Sequence, residues 1–323
     1  MKQLFTFSLA LFAAAAIIGC RHREATSEEN LEKMTPQRSI YHWKTVFEID
    51  STELAFLQKQ EIDRIYLRMF DVATKPDFLN GATEIVPIAT TRFTSPIPNN
   101  VEIVPVTYIT IDALRAMAGR ETEIASLIVE RLMAMSSYNG CGKTKEIQLD
   151  CDWTATTKEI YNKLCRAAME VLQSKGVELS ITVRLHQLKE TPPPADRGVL
   201  MLYNTGALKD PYTDNSILNI FDVEPYIKPT EYSIPLDYAY PAFGWGVKFN
   251  NDKFVSIVPY EESEVSGKEH IRYERPSVQA ILEVKELVED VLGKPQRGNI
   301  IYHLDYSQLK HYTDNEISQI LSF

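Results

Sequence analysis

The chain has 323 residues, 44% of them hydrophobic, and a formal net charge of −10 from 44 acidic against 34 basic side chains. A chain of this length buries a large core without disulfide staples, and it carries only four cysteines. The acidic balance, with no cluster of Lys or Arg, argues against nucleic acid as a partner and against adhesion to anionic lipid through charge.

Residues 1–20 read as a targeting segment and stand apart from the fold. Lys2 supplies the positive start and residues 4–18 the apolar run, which is short for a membrane span. Ile17-Ile18-Gly19-Cys20 then resembles the lipobox of bacterial lipoproteins, cleaved before a cysteine that becomes lipidated. Cys20 is thus the expected link to a membrane. Arg21 stands where an aspartate often holds such proteins at the inner membrane, which favours the outer membrane, facing periplasm or cell surface. Residues 21–38 are polar, with Glu24, Glu28, Glu29 and Glu32, and read as a flexible tether. Residues 39–323 are then one domain.

That domain opens with a strand at 39–46 and a helix at 51–60, for which Ser51 is the expected N-cap. Strand two spans 63–72, with Tyr66, Arg68 and Phe70 on one face. Two β-rich runs, 84–93 and 101–110, are divided by a turn rich in Pro and Asn. The first reads as a protruding hairpin arm and the second as strand three. Residues 112–135 give a long helix that Gly119 can break.

Strand four, at 146–154, is the most informative stretch. Alternation puts Ile147, Leu149, Cys151 and Trp153 on one face and Gln148, Asp150, Asp152 and Thr154 on the other. A helix follows at 156–172, and then strand five at 177–188. There Leu179, Ile181, Val183 and Leu185 oppose Ser180, Thr182, Arg184 and His186. A strand-helix-strand unit of this length implies parallel strands with the helix on the apolar face. The polar faces must then line an interior. The architecture that fits is a (β/α)8 TIM-like barrel, with Asp152 and His186 near the C-terminal mouth, where such barrels place their chemistry.

A Pro-rich loop at 191–196 leads to strand six (199–204), a short helix (213–221) and strand seven (232–240). A β-hairpin insertion at 247–258, turning at Asn250-Asn251-Asp252, follows strand seven. A helix at 279–291, strand eight (299–306) and a closing helix (314–321) complete the chain. Tyr203 and Asn204 end strand six, Asp237, Tyr238 and Tyr240 end strand seven, and His303 and Asp305 end strand eight. Their shared position at strand ends predicts a cleft of Asp, His, Tyr and Asn that binds a ligand together with Arg184 and His186. Trp245, between two glycines, is a platform on which a sugar ring can stack, and 16 Tyr suit the same hydroxylated ligands.

Asp150 and Asp152 point the same way, so each raises the other's proton affinity, which is how a general acid is kept protonated beside an ionised neighbour. The alternative for Asp150 is an ion pair with Arg184 or Arg68 inside the barrel. Glycosidic cleavage normally needs a second carboxylate, and Asp237 or Asp305 are the candidates across the cleft. No Gly-rich phosphate loop, dinucleotide fingerprint, zinc-protease motif or serine-hydrolase elbow is present, so no cofactor is expected. Asp150, Asp152 and His186 lack a recognised metal-ligand spacing, and no metal is assigned. A Cys141–Cys151 bridge is conceivable in an oxidising compartment, whereas Cys151 and Cys165 read as small core residues.

Residues 147–154 resemble the strand-four signature of the chitinase-like glycoside hydrolases, in which alternating acidic residues lead to a catalytic glutamate. Asp150 and Asp152 match its two later aspartates, Ile147 stands at the first, and Thr154 at the glutamate. The lipobox, Tyr41-His42-Trp43, the strand from Arg64 to Asp71 and that from Gln148 to Asp152 are similar to a family of bacterial lipoproteins with glycosidase-like barrels. The resemblance implies that fold and a membrane location; a polysaccharide or peptidoglycan fragment is the expected ligand of the cleft. Two functions stay open. One is hydrolysis, with Asp152 as acid or stabilising carboxylate assisted by Asp150. The other is binding of a glycan or a partner protein without cleavage, which Thr154 favours.

Overall fold

The computed structural model describes residues 36–77, 82–229 and 232–323. The expected signal segment, Cys20 and the tether up to residue 35 lie outside the described residues. Eight parallel strands close on themselves: β1 Ser39–His42, β2 Arg64–Asp77, β3 Glu102–Ile109, β4 Glu146–Asp150, β5 Glu178–Val183, β6 Arg197–Met201, β7 Leu236–Pro241 and β8 Asn299–Tyr302. Each pairs with the next in chain order. β8 returns to β1 through Ser39↔Ile300, while β1 meets β2 through Ser39↔Arg64, so no edge is left in the ring. The expected TIM-like barrel is the observed architecture.

The helical layer is less regular than strict alternation predicts. Helix α1, Ser51–Lys59, is capped one residue earlier than expected: Asp50 accepts hydrogen bonds from the amides of Thr52 and Glu53. Helices α2, Ile111–Ala116, and α3, Glu121–Tyr138, are the two halves of the expected long helix, separated at Gly119 with φ of 82°. Helix α4, Lys158–Gln173, covers β4 and β5 with Tyr161, Leu164, Cys165 and Leu172 buried. The expected helix at 213–221 shrinks to α5, Ile220–Val223, because the segment before it is held as a loop by turns at Asp210 and Asn215. Helices α6, Val278–Leu292, α7, Tyr306–Leu309, and α8, Asp314–Ile320, complete the layer.

Two crossovers carry no full helix among the described residues. β2 runs on beyond the barrel and pairs antiparallel with Ala82–Ile88, which forms the expected hairpin arm. Between β5 and β6 there is one 3-10 turn, Leu185–Gln187. After β7 the expected hairpin gains a third strand: Trp245–Asn250 lies between Lys253–Val258 and Glu269–Glu274.

The strand faces follow the alternation. Ile147, Leu149, Ile181 and Val183 are buried under the helices in the outer core. Inside the ring a smaller cluster contains Tyr41, Tyr66, Val104, Val106, Val199, Met201, Ala239 and Ile300. Polar groups share the rest of the interior, and several of them hydrogen-bond to one another. Tyr41 Oη donates to Gln148 Oε1 at 2.7 Å, Gln148 Nε2 to Ser180 Oγ at 3.2 Å, and Thr182 Oγ1 to Asp150 Oδ1 at 2.5 Å. In β2 the register shifts between Arg68 and Phe70, so Phe70 joins the outer core instead of sharing the face of Tyr66.

Ion pairs close the N-terminal end. Arg297 donates to Glu146 at 2.8 Å and to Glu178 at 2.6 Å, while Arg64 reaches Glu102 at 3.0 Å and Glu146 at 3.4 Å. Asp237 belongs to this floor. Its carboxylate accepts from the amides of Arg297 at 2.6 Å and Gly298 at 3.2 Å. The ladder of β7 starts only at Leu236, after Pro235, which has no N–H to donate. Asp237 is therefore the second residue of its strand, at the end opposite the mouth.

Candidate functional site

Just past the C-terminal end of β4, Asp152 stands at the mouth with its side chain 44% exposed. Arg184, the residue after β5, spans the two aspartates. Its Nε donates to Asp152 Oδ1, and its Nη2 donates to Asp150 Oδ1 at 3.1 Å. The expected interior ion pair of Asp150 is thus made with Arg184, while Arg68 pairs with Asp71 at 2.7 Å. Burial pushes the Asp150 carboxyl up, and Asp152 and Asp71 add to the shift against Arg184 and the Thr182 hydroxyl. Burial works against the Arg184 charge, but Asp150, Tyr203 and Asp152 more than offset it and hold the guanidinium ionised.

Asp152, Arg184, His186, Tyr203 and Asn204 line one cleft of about 320 Å³, so these residues named from strand ends are brought together. Thr205 and Tyr226 complete the wall on the β6–β7 loop. Tyr226 was not legible, because a loop aromatic has no periodic signal. Tyr108, near the end of β3, was also missed; its hydroxyl lies 3.5 Å from Asp152 Oδ2, and burial followed by Asp152 raises its pKa. Its place at a strand end was the available signal.

An aromatic floor lies beside the ion pairs. Tyr203 stacks on Tyr302 with centroids 4.4 Å apart, Phe243 stands 5.8 Å from Tyr302, and Trp245 5.3 Å from Phe243. Burial raises the Tyr203 hydroxyl pKa, so it remains a neutral donor at physiological pH. Trp245 is half-buried, and its Nε1 donates to Glu274 at 2.8 Å.

Other expected lining residues are elsewhere. Tyr238 and Tyr240 are buried in the outer core, with Tyr238 Oη donating to the carbonyl of Gly293 at 2.8 Å. The same alternation that turns Ala239 into the ring turns both tyrosines out of it. Asp305 caps α7, accepting from Ser307 N at 3.1 Å, and lies 3.6 Å from Lys44. Although burial opposes it, the Ser307 hydroxyl and Lys44 hold this carboxyl below its usual range. His303, next to that cap, is lowered to about 4 by burial, with Asp305 opposing. Neither residue lines the cleft of Asp152.

Thr154 is exposed, with its hydroxyl 3.0 Å from that of Thr156. An alcohol at this position cannot serve as the carboxylic acid of a glycosidase. Among the described residues no group of His, Cys, Asp and Glu could hold a metal ion, and Arg184 already pairs with both aspartates. Cys141, Cys151 and Cys165 are buried free thiols, so the conceivable Cys141–Cys151 bridge is not formed. A larger hollow of about 690 Å³ lies on the flank of the barrel between α1 and residues 95–101, but none of the strand-end residues reaches it.

No protein-family model matches the chain, and no curated protein matches its sequence. Solved structures do share its fold. A chitinase from Chromobacterium violaceum superimposes with a TM-score of 0.54 at 12% identity, over 85% of this chain and 98% of that one. The spore cortex-lytic enzyme SleL of Bacillus cereus gives 0.54 at 15% identity, over 90% and 75%. A GH18 chitinase of Flavobacterium johnsoniae gives 0.50 at 10% identity, over 88% and 94%. At such identities the likeness is one of fold: this is a barrel of the kind used by chitinase-like glycoside hydrolases.

Proposed function

We propose that this chain is a lipid-anchored barrel that recognises a polysaccharide or peptidoglycan fragment at its C-terminal mouth and holds it without cleaving it. One observation carries the reading. Among the described residues Asp152 is the sole carboxylate lining the cleft, it is ion-paired with Arg184, and Thr154 occupies the position of the expected acid. Hydrolysis by two carboxylates needs them to face each other across the scissile bond at about 5–10 Å. Asp237 is at the floor and Asp305 is a helix cap, so neither supplies the second group.

Recognition needs only what is present: tyrosine and tryptophan faces for sugar C–H groups, with Asp152, His186, Tyr203 and Asn204 for hydroxyls. Arg184 is already paired with Asp150 and Asp152 and is not free to bind a sugar carboxylate. Neutral or amine-bearing sugars therefore suit it better than uronates. The structural neighbours named as chitinases and as a cortex-lytic enzyme support a glycan as the ligand class.

The test is a glycan panel scored for both binding and hydrolysis with wild type and Asp152→Asn. Wild type should bind a neutral glycan and release no product, and the amide should weaken binding about two- to tenfold. Product formed by wild type and abolished in Asp152→Asn would replace this reading with a catalytic one. The anchor is tested by fatty-acid labelling in cells. Wild type should take up label in the outer-membrane fraction and Cys20→Ala should not, and unchanged labelling of the variant would remove Cys20 as the lipidated residue.

A further inference from the structure

Glu274, the last residue of the third insertion strand, is 1% exposed and receives hydrogen bonds from two other segments and from its own strand. Trp245 Nε1 donates to its Oε2 at 2.8 Å, Ser216 Oγ to the same oxygen at 2.6 Å, and Arg272 Nε to Oε1 at 2.6 Å. Arg272 extends the cluster, because its other nitrogens donate to the carbonyls of Leu208, at 3.1 Å, and Asp210. The β6–β7 loop is therefore pinned to the insertion sheet at 208, 210 and 216. The same loop is tied back to the mouth, where Asn219 N donates to Thr205 Oγ1 at 3.2 Å and Gly206 N to the carbonyl of Ser216 at 3.1 Å. Thr205 is a wall of the cleft.

A buried carboxylate is costly, and a well-packed apolar residue would give at least equal stability. What an apolar residue cannot give is orientation. An indole N–H, a serine hydroxyl and a guanidinium converging on one carboxylate fix three groups at defined angles. One of them is the Trp245 ring, which continues the Tyr203–Tyr302–Phe243 floor outward. Gly244 makes the approach possible, since a Cβ there would lie 2.7 Å from the Glu274 carbonyl oxygen. We infer that Glu274 is a positioning residue: it sets the Trp245 ring and the β6–β7 loop as one rigid wall of the ligand cleft. The inference rests on the glycan-binding reading for its purpose, but the wall itself exists in the free protein.

The experiment isolates Trp245 fluorescence in the full chain as the difference between wild type and Trp245→Phe, which removes the contributions of Trp43 and Trp153. Glu274→Gln and Glu274→Asp are then compared in the same way. The shorter side chain of Glu274→Asp retains the charge beside Arg272, so this variant remains folded even if Glu274→Gln does not. The expected result is a red-shifted, more readily quenched Trp245 in both variants, with about tenfold weaker glycan binding. Trp245→Phe combined with Glu274→Asp should bind no more weakly than the weaker single variant, because both remove one wall. A fluorescence change without any glycan bound by wild type would support the positioning role and count against the binding reading alone. Lowered thermal stability with Trp245 emission and quenching unchanged would overturn the inference and leave Glu274 as a structural ion pair.

Discussion

His42 shows how one residue ties the barrel to pH. It is 1% exposed, neither ring nitrogen has a hydrogen-bond partner, and it lies 5.0 Å from Phe47. Burial, reinforced by Lys44 and His303, lowers its pKa from 6.5 to about 3. Below pH 6.5 the unfolded chain then binds a proton that the folded chain refuses, so stability present above 6.5 is lost as pH falls. The slope approaches about 1.4 kcal/mol per pH unit for each such histidine. His303, lowered to about 4, acts over the same window. Carboxylates held low, such as Asp305, add their loss only in stronger acid. The buried carboxyls of Asp150 and Glu146, which are pushed up, oppose the loss, so the test is the difference. Urea denaturation from about pH 7 to about pH 4.5 should show a loss smaller in His42→Phe than in wild type. A slope identical in the variant would acquit His42.

At the scale of elements, the crossovers decide what surrounds the mouth. Parallel strands usually return through a helix, yet β2 reaches β3 through a hairpin arm and β5 reaches β6 through one turn. At the ends of β4 and β5 the Asp152–Arg184 pair lines the cleft, with the Asp152 side chain 44% and that of Arg184 20% exposed. After β7 a three-stranded sheet supplies Trp245 and, through Glu274, braces the neighbouring loop. The ring itself closes where two lead-in segments clasp. Gln37 N donates to the Arg297 carbonyl at 2.7 Å, and a Cβ on Gly298 would come within 1.9 Å of the Gln37 carbonyl oxygen, which leaves room for glycine alone.

At the scale of the molecule, the barrel has an ion-paired, buried end and an open cleft at opposite ends of its axis. The floor gathers Arg64, Arg197 and Arg297 around Glu146, whose side chain is fully buried. Burial raises the Glu146 carboxyl pKa while the arginines oppose it. Glu146→Gln removes the carboxylate that the three guanidinium groups share but leaves Glu102, Glu178 and Asp237 paired with them, so the expected cost is about 1–3 kcal/mol. A urea midpoint measures that loss. Glycan affinity, measured where the variant is still folded, should match wild type, because Glu146 and its arginine partners are not among the residues lining the cleft. A parallel fall in affinity would show that the two ends are coupled.

The inward faces of β4 and β5 could be read from residues alone, because a period of two is a local property and a helix must cover the apolar side. That periodicity is enough to put Asp150, Asp152 and Arg184 in the interior and at the mouth, where the folded chain has them. It did not extend to Asp237, Tyr238 and Tyr240. Their fate turns on where β7 begins, and Pro235 together with the floor arginines sets that through contacts remote in sequence. Asp305 looked like a strand-end carboxylate until strand β8 stopped at Tyr302 and a cap became its role. The proposed lipobox rests on sequence alone, because residues 17–20 lie outside the described residues. Tyr108, Tyr226 and the Glu274 cluster emerge only in the folded molecule, since each draws its meaning from partners on other strands and loops.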